Sequence, residues 1–366
     1  MIVIELCLSV GRGGLERYAG GLGPQLAARG VDAKAVARRG SEFARLAQAV
    51  AALEINSGRL SPWGNFPALT RLAREADVLH IHRSADLPLA VLVKRAAAGH
   101  PALVYTRHMA ISRDRRKSPV HRWLHREVDL FLAVTARVAA EARERLPLPP
   151  ERIRVLPLGI SDPPPPGDCG ELRPPGTGFL IGCFSRIERA KGQQELIAAL
   201  ATLVGRGIDA SLVIAGPVMD EVYAEELRAS ARRLGIAERL RFAGVLADAR
   251  PAMACCDVVV MPSAAETFGL VLVEALQMRV PVVCTAAGGT AEIVRDGETG
   301  LSYAPGDVSA LADRLERLAG DAPFARRLAQ AGHDDVVAQF GLETHLERLE
   351  ELFRSVAPRG RQSRAR

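Results

Sequence analysis

Two carboxylates, Glu266 and Glu274, stand with seven residues between them in PSAAETFGLVLVEAL, residues 262–276. The apolar run before them reads as a strand and the run after them as a helix starting near Phe268, so Glu266 falls in the loop and Glu274 about two turns further on. Amides of Phe268, Gly269 and Leu270, with no carbonyl one turn earlier, are free to meet an anion such as a phosphate oxygen. Each carboxylate can accept hydroxyl protons, so the pair suits a ligand with a sugar at one end and a ribose at the other. A plainer reading stays open for both: Glu266 as an acid balancing the helix dipole, and Glu274 as a helix-surface residue. Its neighbours Val273 and Ala275 make a solvated face a poor description of Glu274.

A second cluster is SRIERAKG, residues 185–192, which follows the strand-like FLIGCF. Arg186 and Lys191, one forked and planar and the other compact, together suit a diphosphate. A solvated loop is the competing reading. The chain has only four lysines, Lys34, Lys94, Lys117 and Lys191, against 44 arginines, so a lysine is unusual anywhere in it. A third cluster is the turn at Gly11, Gly13 and Gly14, which opens into a helix and can bring backbone amides up to an anion. It is not a dinucleotide fingerprint, because GxGxxG requires glycine where Glu16 stands.

His108 follows Tyr105, Thr106 and Arg107 at the end of another strand-like run, either as a satisfied core histidine or as a ligand-facing one. His80 and His82 alternate along one strand, which we take to set them on opposite faces and to exclude a close metal pair. Residues 112–126, SRDRRKSPVHRWLHR, gather Arg113, Arg115, Arg116, Lys117, Arg122 and Arg126 around Trp123 with a single acid, Asp114. Cations beside an amphipathic aromatic suit a phosphorylated glycolipid or an anionic bilayer surface. An exposed loop and helix start would look the same.

Positioning these residues requires strands whose carboxyl ends converge. Short apolar runs alternate with helical segments at residues 2–8, 32–37, 78–82, 102–106, 130–134 and 153–156. The alternation resumes at 179–184, 211–215, 240–243, 258–261, 280–284 and 301–304. This is the pattern of parallel βαβ units. Residues 161–178 hold six prolines and four glycines without apolar periodicity. We expect an α/β chain of two doubly wound, Rossmann-like domains facing a central cleft: residues 1–162, a linker at 163–178, and residues 179–340. An amphipathic helix at 341–356 and a basic, disordered tail at 357–366 complete the reading. In the first helix Gly20, Gly21, Gly23 and Pro24 predict a kink.

Composition narrows the function classes. The 366 residues are 48% hydrophobic and 25% charged, an ordinary globular balance, and no apolar run is long enough to span a bilayer. The formal charge is +6, but the last thirteen residues contribute five arginines and no acid. The body is therefore near neutral, which argues against a nucleic-acid partner and leaves the tail as a solvated end or a contact for acidic membrane. The six cysteines show no CxxC and two are adjacent, so we expect free thiols. The first residues lack a basic segment and a cleavage site, so the reading is cytoplasmic.

Taken together, these motifs carry a family resemblance. PSAAETFGLVLVEAL, with RIERAKG and LVIAGP, resembles the donor domain of the retaining family-four, group 1, glycosyltransferases of the GT-B fold. The GGLER turn and DVLHIH, followed by Tyr105 to His108, resemble the acceptor domain, and the likeness covers most of residues 1–340. The resemblance implies a nucleotide-diphosphate sugar (UDP- or GDP-linked) as co-substrate, retention at the anomeric carbon, and no metal or other cofactor; the chain has no Asp-x-Asp pair. It implies that Arg186 and Lys191 neutralise the leaving diphosphate, approached by Gly13 and Gly14, and that Glu266 holds sugar hydroxyls and Glu274 the ribose. Gly216, Phe268, Gly269 and Leu270 would line the donor, residues 242–245 would meet the base, and His108 would reach the reacting sugar. Where many members have Asn-Gly after the last strand of the first domain, this chain has Pro157, Leu158, Gly159 and Ile160. The final helix would return to the first domain. A glycan or glycolipid acceptor, as in lipopolysaccharide or other envelope glycan synthesis at the inner face of the membrane, is the expected partner. A nucleotide-sugar epimerase and a non-catalytic nucleotide-sugar-binding subunit are the alternatives.

Overall fold

The computed structural model describes residues 1–11, 13–56, 61–115, 118–165, 167, 169–170, 172–173 and 178–358. Arg12, Arg116, Lys117 and the tail arginines from 359 onward lie outside the described residues. The chain forms two compact units. One joins residues 1–158 to the chain from Glu343 onward, and the other is residues 159–342.

The first unit is built on seven strands, β1 (Ile2–Cys7), β2 (Asp32–Arg38), β3 (Ala51–Ile55), β4 (Val78–Ile81), β5 (Ala102–Arg107), β6 (Leu130–Ala133) and β7 (Ile153–Val155). They lie in the order β3-β2-β1-β4-β5-β6-β7, and every pairing is parallel. Helices cover a parallel sheet on both faces, which is why its central strands are apolar at nearly every position. The register pairs Glu5 of β1 with His80 of β4, and His80 with Val104 of β5. The helix Leu342–Val356 belongs to this unit from Glu343 on. Its Leu346, Leu349 and Phe353 are buried, each contributing about 1.5–3 kcal/mol of hydrophobic stabilisation. Arg29 ties it down through Glu350 at 2.6 Å and through Glu343.

The second unit has six parallel strands, β8 (Phe179–Phe184), β9 (Ala210–Ala215), β10 (Leu240–Gly244), β11 (Val258–Met261), β12 (Val282–Thr285) and β13 (Leu301–Tyr303), in the order β10-β9-β8-β11-β12-β13. Both sheets grow outward in two directions from their first strand. The connections leaving β1 and β4, and those leaving β8 and β11, therefore diverge at a topological switch point, the place where open α/β sheets take ligands. No helix among the described residues is long and apolar enough to cross a membrane.

Three local expectations change. Strand β3 has no counterpart among the six runs read in the first half, because it is an edge strand with mostly exposed side chains and hence no apolar pattern. Cys169 and Cys255 form a disulfide, S–S 2.08 Å, with Cα atoms 5.5 Å apart, where free thiols were expected. Adjacency of Cys255 and Cys256 is no obstacle, since Cys256 turns inward and stays a buried free thiol. The described part of the Pro/Gly-rich segment thereby belongs to the second unit, where Arg173 also donates to the Cys255 and Gly178 carbonyls and pairs with Asp257. Finally, His80 and His82 turn to the same carboxylate, as described below.

Candidate active site

In the second unit, the loop leaving β8 is stitched to the end of β9. The Ile187 amide donates to the Pro217 carbonyl, and the Met219 amide donates back to the Ile187 carbonyl. Buried Gln193 donates to Ser185 Oγ (3.0 Å) and to the Arg186 carbonyl (2.8 Å), fixing the loop from below. Arg186 points outward and pairs with Glu188 at 2.8 Å. Lys191, at the end of the turn Arg189–Lys191, is largely covered.

The loop leaving β11 is held by the loop leaving β12. The Gly289 amide donates to the Glu266 carbonyl at 2.8 Å, Thr285 Oγ1 donates to the Ser263 carbonyl at 2.5 Å, and Thr290 Oγ1 donates to the Thr285 carbonyl at 2.7 Å. Gly288 makes this close approach feasible. Its φ is +77°, and a Cβ there would lie 2.2 Å from the Glu266 carbonyl oxygen. So held, the Glu266 carboxylate meets Lys191, Nζ to Oε2 2.7 Å. The structure thus brings together the cation of one nominated motif and the carboxylate of the other, at the carboxyl ends of β8 and β11.

The remaining nominated residues of this unit divide. The helix is Leu270–Gln277, starting two residues later than the sequence suggested because Gly269 takes a left-handed conformation as its N-cap. It begins four residues after Glu266, on the same loop leaving β11, so its leading amides lie at the same strand end. Glu274 is half-buried within it. Phe268 is a packing residue, edge-on to Phe340 with ring centroids 5.6 Å apart. Gly216 has its amide engaged by the Gly244 carbonyl at 2.8 Å, and a Cβ there would lie 2.0 Å from the Ser185 carbonyl. Glycine at 216 is what lets the Arg186 loop close down on β9.

In the first unit the glycine-rich turn is occupied by a carboxylate of the chain itself. Glu16 accepts from the Ser9 hydroxyl and, at 2.9 Å, from the Gly13 amide. Gly14 begins the helix. Sequence reasoning used Glu16 only to reject a fingerprint; its place three residues into a helix is the signal for this capping role.

His108 follows β5 and is buried. Beside it lies a cluster that the sequence reading set aside. Glu5, wholly buried in β1, meets His80 Nδ1 (3.1 Å to Oε1, 2.9 Å to Oε2) and His82 Nε2 (2.8 Å to Oε2). Opposite faces were expected for the two histidines; residues two apart on a strand share a face, and their rings lie 4.2 Å apart. The trio also has the donor set of a metal site, the only such group among the described residues. Burial alone would raise the Glu5 pKa, but the His80 and His82 interactions outweigh it and bring it down to about 2. Burial, helped by the neighbouring His80, lowers His82 to about 4, and burial lowers His108 well below the ordinary histidine value. The clue in the sequence was a lone glutamate inside the apolar run IVIELC.

The region around residue 120 is open. On helix Pro119–Arg126, Val120, Arg122 and Trp123 are exposed, and Met109 and Arg113 are exposed nearby.

Comparison with known proteins decides the family. Residues 170–335 match the family "Glycosyl transferases group 1", and residues 12–162 match "Glycosyltransferase Family 4". A GDP-mannose-dependent alpha-(1-6)-phosphatidylinositol monomannoside mannosyltransferase of Mycobacterium tuberculosis is 30% identical over 304 residues, 78% of either chain. The chain belongs to the family-four, group 1 glycosyltransferases. The lipopolysaccharide core biosynthesis glycosyltransferase LpsE of Rhizobium meliloti is 34% identical over 188 residues, 51% of this chain and 53% of that one, so the match spans about half its length. The crystal structure of Anabaena Alr3699/HepE in complex with UDP-glucose superposes with a TM-score of 0.83 at 24% identity, covering 97% of this chain and 100% of that one. These parallel-sheet, Rossmann-like units are those of the GT-B fold.

Proposed function

We propose that this glycosyltransferase moves a hexose from a UDP- or GDP-sugar, with retention at the anomeric carbon, to a hydroxyl of a glycan or lipid-linked acceptor. The observation that carries the reading is the meeting of Lys191 and Glu266 at the ends of β8 and β11, with Arg186 on the same loop. In this reading Arg186 and Lys191 oppose the charge that grows on the departing diphosphate, so the positive charge comes from side chains, without a metal or other cofactor. Glu266 takes sugar hydroxyls, Glu274 the ribose, and the helix start at Gly269 and Leu270 a phosphate or sugar oxygen. On the first unit, His108 serves the reacting sugar, and Gly13 and Gly14 the diphosphate.

A lipid-linked acceptor is favoured by the exposed Trp123, Val120 and Met109 beside Arg113, Arg115 and Arg122, a composition suited to an anionic membrane surface. The names of the relatives point the same way, one to lipopolysaccharide core and one to phosphatidylinositol monomannoside. The enzyme would then work peripherally at the inner face of the cytoplasmic membrane. Nucleotide release from UDP-, GDP- and ADP-sugars, with and without a membrane glycolipid extract, tests the reading. Turnover of one donor only with extract, lost in Lys191→Ala and Glu266→Ala, is expected. Donor binding without turnover would leave a binding subunit, and nucleotide release without acceptor an epimerase-type reaction.

A further inference from the structure

We propose that Glu5 and His82 are positioning residues of the transfer reaction, which through the chain Glu5–His82–His108 keep the His108 proton on Nε2 and present its Nδ1 lone pair to a sugar hydroxyl. The inference rests on the glycosyltransfer reading for the identity of that hydroxyl, and for the rest on hydrogen-bond geometry together with the neutrality of the buried His82 and His108.

The directions are forced one after another. An ionised carboxylate accepts and cannot donate, so each nitrogen that meets Glu5 must carry a proton: Nδ1 of His80 and Nε2 of His82. His82 is neutral, so its Nδ1 is bare. The atom facing that Nδ1, at 3.3 Å, is His108 Nε2, which must therefore be the donor. His108 is neutral as well, which leaves its Nδ1 without a proton.

The other groups nearby are committed elsewhere. His80 Nε2 and the Thr106 hydroxyl share a hydrogen bond of 2.7 Å. The Tyr18 ring lies 5.4 Å from that of His108, but its hydroxyl meets His345 Nε2 at 2.8 Å. That nitrogen is the acceptor, because His345 Nδ1 donates to the Pro157 carbonyl at 2.7 Å. In this set of four imidazoles only His108 Nδ1 lacks a partner among the described residues, and it is buried. An orphaned buried acceptor is uncommon in folded chains and lowers stability, so its presence at a strand's carboxyl end calls for a role. A lone pair fixed there can hold a hydroxyl by its proton. The Glu5 charge, one imidazole away, stabilises any positive charge that His108 acquires in doing so.

The test begins with the full chain labelled with 15N-histidine and read by two-bond proton–nitrogen correlation, with signals assigned by His82→Gln and His108→Gln. His82 and His108 are expected in the Nε2–H form, with His108 Nδ1 resonating as an unprotonated nitrogen and shifting when UDP- or GDP-sugar is added. A proton on His108 Nδ1 would overturn the proposal. So would zinc retained at one ion per chain, since a metal takes the lone pairs of His80 Nδ1 and His82 Nε2 and reverses the chain of donors. Kinetics supplies the second arm. Glu5→Gln should lower kcat about tenfold with the donor KM within about twofold, and should change little in a His108→Ala background. An equal loss in both backgrounds makes Glu5 merely structural and ends the idea. The tautomer is read without turnover, so failure of the transfer reading, seen as no nucleotide release from any donor, is distinguishable from failure of this one.

Discussion

Lys191 Nζ lies 2.7 Å from Glu266 Oε2, joining residues 75 positions apart at the carboxyl ends of neighbouring strands. The pair is partly covered, with side-chain exposures of 17% and 22%, so each charge depends on the other or on a ligand. In the proposed function, a diphosphate that reached Lys191 would compete for its ammonium and release Glu266 to accept from hydroxyl donors. The ion pair thus keeps both groups oriented while giving way to the chemistry that each is proposed to serve.

Lys191→Ala should lower kcat/KM by about 10²–10³-fold, the usual loss when one preorganised donor to developing charge is removed. Donor affinity should fall far less, because the charge on the leaving group grows in the transition state. Steady-state nucleotide release together with calorimetric donor binding checks the split. Equal losses in kcat/KM and in binding would assign Lys191 to ground-state binding alone.

Gly288→Ala should abolish most activity while leaving the fold intact. The added Cβ falls 2.2 Å from the Glu266 carbonyl, at a φ of +77° that alanine adopts poorly, so the loop carrying Glu266 must move. Far-UV circular dichroism matching the parent, with kcat at least about tenfold lower, is the expected result; a shift near 1 Å in a catalytic group can cost about a hundredfold. Unchanged kcat would separate the position of Glu266 from function.

The sheets were readable from the sequence because central parallel strands are buried on both faces and therefore apolar throughout, as in FLIGCF and LFLA. Edge strand β3 carries no such signature. The Lys191–Glu266 pairing was legible as two motifs but not as a contact, since only the strand order places β8 beside β11. Glu5 was hidden for a different reason: its partners, His80 in β4 and His82 just after it, meet it through a register that spacing along one strand does not contain. The Cys169–Cys255 bond likewise depends on where a Pro/Gly-rich segment folds back, for which its composition carries no code.

Stability should fall as pH drops from about 6.5 toward 4. His82 and His345 have folded pKa values lowered to about 4, both first by burial, so over this range the unfolded chain binds their protons and the folded chain does not. Each imidazole kept neutral contributes a slope of about 1.4 kcal/mol per pH unit. Glu5, lowered from 4.5 to about 2, acts in the same sense further down: its contribution is complete above pH 4.5 and is lost as pH falls through 2. Urea midpoints measured at pH 7.5, 6 and 5 should decrease in that order. A flat profile would mean that the cluster holds its protons equally well in the unfolded chain.

The Cys169–Cys255 disulfide closes a long loop, 86 residues in sequence separation, and joins the Pro/Gly-rich segment to the approach to β11. Removing a bond of this kind costs about 2–5 kcal/mol, largely by releasing the unfolded chain. Cys169→Ser should therefore lower the urea midpoint, as should reduction of the parent. Thiol counting makes the expectation sharper. Cys7, Cys183, Cys256 and Cys284 are buried, and burial pushes their thiols up to about 12, 11, 12 and 12 respectively. None should react readily in the folded chain, because the thiolate is the reactive form. Unfolding without reductant should expose those four and no more, and unfolding with reductant all six cysteines. Six reactive thiols before reduction would show the bond to be absent in solution, and the stability difference between parent and Cys169→Ser should then vanish with it.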